Sequence, residues 1–305
     1  EDQVPHSRGF EQSYVMPRGS SSHYSELAAS SKIPTTIYLE NGEEVDLPDD
    51  FYSTKTYTDK MIEYLDNVEE DKPFFAFASY TAPHWPLQAP DEFIEKYDGL
   101  YDGGYDEIMN VRLEKMQRLG LIDEIPKDFP RSPIVKDWND LDESQRAKEA
   151  KNMAVYAAMV EAMDFHINRI IESLRASGKL DNTLIIFMSD NGADGNDPYH
   201  IEDNVNWVPE TFTTDTDSLG KPGSFTAYGP GWASVSSAPY KLYKAFSSEG
   251  GIKVPAFVVW PTEIAEKSSF ESSFMTVLDV VPTLLDVADV TYPTGTYKGR
   301  ELFPL

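Results

Sequence analysis

The chain has 305 residues, 40% hydrophobic and 12% aromatic, enough to bury a sizeable core as one large domain or one with a small satellite. Its 52 acidic against 26 basic residues give a formal charge of −26, which disfavours nucleic acid and anionic membrane surfaces over most of the exterior. It has no cysteine, so disulfides, thiolate metal sites and a cysteine nucleophile are excluded, and no apolar run approaches the length of a membrane span.

The opening residues, EDQVPHSRGFEQ, read neither as a signal peptide nor as an initiator segment, so the compartment stays open and the chain is expected to begin inside a longer protein. Residues 35–46 (TTIYLENGEEVD) set Asn41-Gly42 between two short alternating runs, which predicts a tight hairpin. From Thr54 to about Val68, Met61, Ile62 and Leu65 recur at helical spacing after a polar start. PFFAFAS, 73–79, reads as a buried strand that delivers YTAPHWPLQAP, where His84 stands between Pro83 and Pro86 in a restricted turn. Residues 98–140, rich in Asp, Gly, Pro and Arg, predict a long surface excursion with one short helix near 107–119.

Residues 143–175 carry the strongest helical pattern and end shortly before Gly178. TLIIFM, 183–188, is continuous, apolar and β-branched, as a central strand covered on both faces requires. A polar stretch, 189–250, precedes a third apolar strand at 254–259. The order of elements is α/β.

Three stretches can carry chemistry. Ser189-Asp190-Asn191-Gly192 closes the 183–188 strand, at the sheet edge where α/β proteins bind ligands, and Asp190 with Asn191 offers hard oxygen ligands for Ca²⁺ or Mg²⁺. A plain Asn-Gly turn would look the same. His84 lies past the end of another predicted strand, as a catalytic imidazole or as a ring packed against Trp85 and Tyr80. Lys241 and Lys244 precede Glu249-Gly250-Gly251, as anion ligands or as surface lysines before a glycine turn.

Together, RGFEQSY with His23-Tyr24 downstream, FYSTKTYTDKMIEYL, PFFAFASYTAPHWPLQAP, YAAMVEAMDFHINRII, IIFMSDNGADG, LYKAFSSEGGIKVPAFVVWP, VLDVVPTLLDVADV and GTYKGREL resemble the formylglycine-dependent type I sulfatases, the arylsulfatases in particular. The resemblance implies an alkaline-phosphatase-like mixed sheet sandwiched between helices, here incomplete, with residues 1–305 forming a partial catalytic domain. It implies Asp190 and Asn191 as calcium ligands, with Asp190 also polarising the nucleophile. It implies His84 as proton donor to the leaving oxygen of a small-molecule sulfate ester, and Lys244 as the lysine that contacts the sulfate. Lys241 does not fit that spacing. If Lys244 reaches the same sheet edge, the strand at 254–259 starts there and is expected to run opposite to its neighbours. The C/S-x-P-x-R segment that becomes formylglycine is absent, as are the paired aspartates that complete the metal site and the K-W-H-L-G stretch. Asp49-Asp50 is not that pair, because it follows Leu47-Pro48 and precedes a helix.

The expectation is a truncated sulfuric ester hydrolase that is inactive alone. The formylglycine would be made in the complete protein by a formylglycine-generating or an anaerobic sulfatase-maturating enzyme. A phosphodiester or phosphonate monoester hydrolase of the same superfamily and a non-catalytic binding module are the alternatives. Substrate choice would fall to loops 98–140 and 196–233, where Trp207, Tyr228 and Trp232 stand either as pocket walls or as packing anchors.

Overall fold

Asn41 and Gly42 both take positive φ, 53° and 91°, which gives the turn twist that two-residue hairpins need. They join β2 (Tyr38–Glu40) to β3 (Glu43–Val45) in antiparallel register, and β1 (Tyr14–Val15) pairs with the other side of β2. The structure is a computed structural model and describes residues 3–70, 72–127, 132–200, 204–264, 269–271, 273–292, 294–297 and 299–302. The chain forms two compact units, Glu1–Ala265 and Glu266–Leu305.

In the first unit, α1 (Ser53–Asp66) begins where the pattern places it, although its N-cap, Tyr52, makes no side-chain cap bond. The Ser53 N–H instead donates to the carbonyl of His23 at 2.8 Å. α1 packs on α4 (Glu143–Ala176), and Arg169 pairs with Asp59 across them at 2.6 Å. Lys179 donates to the Leu65 carbonyl in the last turn of that first helix at 3.2 Å, where a cation offsets the helix dipole, and to the Val68 carbonyl just beyond it at 3.3 Å. The long helix starts at a full capping box, Asp142 with Gln145, and ends ahead of Gly178 at φ 72°.

Residues 73–79 depart from expectation: they are extended but pair with no strand among the described residues, and Phe75 and Phe77 are 61% and 67% exposed. A strand is a pairing event as well as a pattern, and an apolar run without a ladder partner keeps its backbone polar groups for solvent. The excursion 98–140 also differs. After α2 (Asp91–Ile94), α3 (Gly104–Arg118) is longer than the predicted helix. It sends Tyr105, Met109 and Leu113 into the main core, together with Trp138.

β4 (Ile185–Met188) pairs antiparallel with β5 (Ala256–Val259), in register Ile185↔Val259 to Met188↔Ala256, as the reversed third strand predicts. The expected cover on both faces is not there: β4 is half-buried, β5 is exposed along its length, and Phe187 stacks on Phe257 at 4.8 Å. Between these strands lie α5 (Trp207–Thr211), α6 (Gly229–Ser237) and the one-turn α7 (Glu249–Ile252). No helix of the described residues is long and apolar enough to cross a membrane.

The main core of this unit centres on fully buried Trp232. Its ring meets Tyr105, Tyr101 and Trp138 edge-on at 4.8, 5.7 and 5.8 Å, and its Nε1–H donates to the Glu149 carbonyl at 2.9 Å. Tyr228 stacks on Tyr156 at 4.4 Å, and Trp207 packs edge-on against Phe212. All three aromatic residues considered as pocket walls are therefore packing anchors. The second unit has a capping box at Thr276 and Asp279, the helix α8 (Val280–Val287) and a short hairpin, β6 (Thr296–Tyr297) with β7 (Arg300–Glu301).

Candidate functional site

His84 is held from both sides. Its own N–H donates to Thr81 O at 2.9 Å, and its Nδ1 lies 2.7 Å from Trp85 O, so Nδ1 carries the proton and Nε2 is left for chemistry. Its carbonyl accepts from Nε2 of buried His23 at 3.1 Å, and His23 Nδ1 accepts from Ser53 Oγ at 2.7 Å. Gln88, also fully buried, pins the far end of the turn. Its Oε1 takes bonds from Ser22 Oγ and the His23 N–H, and its Nε2 donates to Ser224 O. The imidazole of His84 is thus oriented by main-chain contacts of a turn that is locked four residues later, at Gln88.

Burial pushes the His84 pKa below its ordinary value. The bond to the Trp85 carbonyl and the Asp194 and Asp190 carboxylates oppose that fall, and the Lys244 cation adds to it.

The loop after β4 is knitted to the segment before β5. Ser189 N–H donates to Pro255 O at 3.3 Å, Gly192 N–H to Gly251 O at 3.0 Å, and Lys244 N–H to Ala193 O at 2.8 Å. The approach is too close for side chains: a Cβ on Gly192 would lie 1.9 Å from Gly250 O, and one on Gly251 would lie 2.1 Å from Phe246 O. Lys244 sits between Leu242 and Ala245, both in left-handed backbone at φ 63° and 75°. Such conformations cost about 1–3 kcal/mol each and persist where the surroundings enforce them. That strain is the local signature of a lysine set in place.

The two loops meet at Asp194. Its Oδ2 accepts from Lys244 Nζ at 3.1 Å and from Trp85 Nε1 at 3.2 Å, and His84 Nε2 stands 3.5 Å away. Its Oδ1 accepts from the Asn196 N–H at 2.9 Å. His84 and Lys244 are therefore brought together, with side chains 30% and 28% exposed around a carboxylate that is 11% exposed. Lys241 has no part in this meeting; its carbonyl accepts from Gly250 N–H and Ser248 Oγ. Asp50 pairs with Lys55 at 2.9 Å, far from any role at a strand end.

Asp190 is exposed at the end of β4, beside Asn191, whose Nδ2 donates to Gly192 O at 2.9 Å. That bond fixes the amide so that Oδ1 is the end offered to a cation. A carboxylate and an amide oxygen match a hard divalent ion in kind, but two ligands fall short of the six to eight that Ca²⁺ takes. Among the described residues no group of three or more His, Asp or Glu side chains is placed to hold a metal. A cavity of about 390 Å³ on α3, lined by Met109, Leu113, Ile125 and Asp137 among others, shares no residue with this site.

Sequence reasoning missed Asp194, His23 and Gln88 as parts of the site. For Asp194 a signal existed, since it lies in the same Asp-Asn-Gly-Ala-Asp-Gly run as Asp190. For His23 and Gln88 none did, because their roles depend on contacts across more than sixty residues.

The Sulfatase family model matches residues 4–290. An arylsulfatase of Klebsiella aerogenes is 37% identical over 99% of this chain and 65% of its own length. An uncharacterized sulfatase of Schizosaccharomyces pombe is also 37% identical, over 99% of this chain and 56% of its own length. The chain thus spans between about half and two thirds of the length of these relatives. The solved structure of Ps i-CgsB in complex with k-i-k-neocarrahexaose superposes with a TM-score of 0.58 at 21% identity, covering 96% of this chain and 48% of that one. The expected alkaline-phosphatase-like α/β fold stands on that likeness, and the match over residues 4–290 shows that this chain belongs to the sulfatase family.

Proposed function

We propose that this chain carries the oxyanion-binding and leaving-group side of an arylsulfatase-type site that hydrolyses sulfate monoesters. The observation behind this reading is the convergence of Lys244 and His84 on a single anionic oxygen in the loop after β4. Membership in the sulfatase family supports it.

Hydrolysis of a sulfate ester develops charge on the leaving oxygen and spreads charge over three others, so fixed cations and donors aimed at those oxygens are the main resource. Lys244 supplies the cation. His84 is neutral in the resting chain, with its Nδ1–H tied to Trp85 O. A bound anion favours the protonated ring, which then presents Nε2–H to the departing oxygen. Asp190 and Asn191 would give two oxygen ligands to Ca²⁺, which suits such a partial, adaptable set better than Mg²⁺ with its strict octahedron. When bound, the ion supplies Lewis-acid polarisation and a template. Asp190 would also polarise the nucleophile. This sequence has no C/S-x-P-x-R segment, so the formylglycine would come from polypeptide outside these residues, after maturation by a formylglycine-generating or anaerobic sulfatase-maturating enzyme.

The test has two arms. The 305-residue chain with Ca²⁺ is expected to show no turnover of 4-nitrophenyl sulfate, and turnover would overturn the external nucleophile. In the longer protein that contains the nucleophile, Lys244→Met and His84→Asn are each expected to lower kcat/KM on that ester by about 10²-fold or more. Activity that survives both substitutions would overturn the assignment of the site.

A further inference from the structure

A carboxylate that only anchored a lysine would leave its other contacts to chance; Asp194 does not. One of its oxygens, Oδ2, takes Lys244 Nζ and Trp85 Nε1 and faces His84 Nε2, at 3.1, 3.2 and 3.5 Å. Its second oxygen is held apart by the Asn196 N–H. An ammonium and an indole N–H donate to this one oxygen, and an imidazole nitrogen able to take up a proton stands beside it, which is what binding an oxyanion oxygen requires. The carboxylate also sits 11% exposed, in a loop whose backbone is hydrogen-bonded to Lys244 and Gly251.

We infer that Asp194 is an internal counter-ion that occupies the oxyanion position between Lys244 and His84, and that a substrate oxyanion binds by taking its place on these donors. The inference rests on the reading that Lys244 and His84 receive the sulfate. It adds that the resting site is closed by the chain's own anion and that Asp194 sets the affinity of the site for external anions. Displacement needs no change of fold, because Oδ1 keeps its own partner while Oδ2 gives up three contacts. A negative charge at contact distance from an incoming anion opposes its binding by well over tenfold even with substantial solvent screening.

The variant is Asp194→Asn, which has the same shape and removes the charge; its one oxygen keeps the Asn196 N–H, and its amide nitrogen replaces Oδ2 beside Lys244, Trp85 and His84. Binding of phenyl sulfate to the 305-residue chain is followed by NMR shifts of the Lys244 and His84 side chains. Circular dichroism and thermal unfolding of each variant confirm that it is folded. Tightening of at least tenfold in Asp194→Asn is the expected result, about 1.4 kcal/mol. Unchanged or weaker binding in the folded variant would overturn the inference and make Asp194 a positioning residue for Lys244. Binding that shifts neither Lys244 nor His84 in either protein would overturn the underlying site assignment as well, so the two failures are distinguishable. Lys244→Met serves as the control and is expected to abolish the gain.

Discussion

His23 gives a pH dependence that can be worked from the structure. It is 1% exposed, and burial, with a smaller push from His84, lowers its pKa from 6.5 to about 4 against the opposing bond to the His84 carbonyl. The folded chain holds this ring neutral: Nε2–H donates to His84 O, and Nδ1 accepts from Ser53 Oγ. Between pH 6.5 and about 4 the unfolded chain binds a proton that the folded one refuses, so stability rises with pH across that window. The contribution is fully present above pH 6.5 and is lost as pH falls to the folded value. It amounts to about 3 kcal/mol in all, and about 2 kcal/mol of that is lost by pH 5. The assay is urea unfolding, followed by tryptophan fluorescence, at pH 7.5 and pH 5 for wild type and His23→Gln. Burial also lowers the pKa values of His84 and His166, so the wild type loses stability through several groups. The variant should lose about 2 kcal/mol less than wild type between the two pH values. Equal losses in the two proteins, or a His23 ring resonance that titrates near pH 6.5 in the folded chain, would refute the reasoning. The same ring holds the main chain of His84, the residue proposed as proton donor.

Trp232→Ala removes a fully buried indole from the Tyr101, Tyr105 and Trp138 cluster, along with its bond to the Glu149 carbonyl. The expected destabilisation is about 3–5 kcal/mol, measured by the same unfolding assay. Gly192→Ala would drive a methyl into the Gly250 carbonyl and part the two loops that hold Asp194 and Lys244 together. It is expected to cost about 1–3 kcal/mol and to weaken phenyl sulfate binding, which calorimetry would report.

The elements set by neighbours in sequence were legible. The Asn41-Gly42 turn, the α1 periodicity and the long helix over 143–175 with its glycine stop all depend on residues within a few positions of one another, and each is found where its pattern places it. The strand at 73–79 failed for the opposite reason: its pattern is real, but a ladder needs a partner, and none of the described residues supplies one. The excursion 98–140 was underestimated because its apolar residues are sparse in sequence and become core only when Trp138 and Trp232 close over them.

By itself the sequence determined which residues could bear the chemistry: a histidine in a proline-bounded turn, an Asp-Asn pair closing a strand and a lysine ahead of Glu-Gly-Gly. Only the tertiary structure decided that His84 and Lys244, separated by 160 positions, face the same carboxylate, and that this carboxylate is Asp194. Residue type and local spacing are written in the chain. Three nitrogens can converge on one oxygen only after the loops have packed together, through glycines that let their backbones touch.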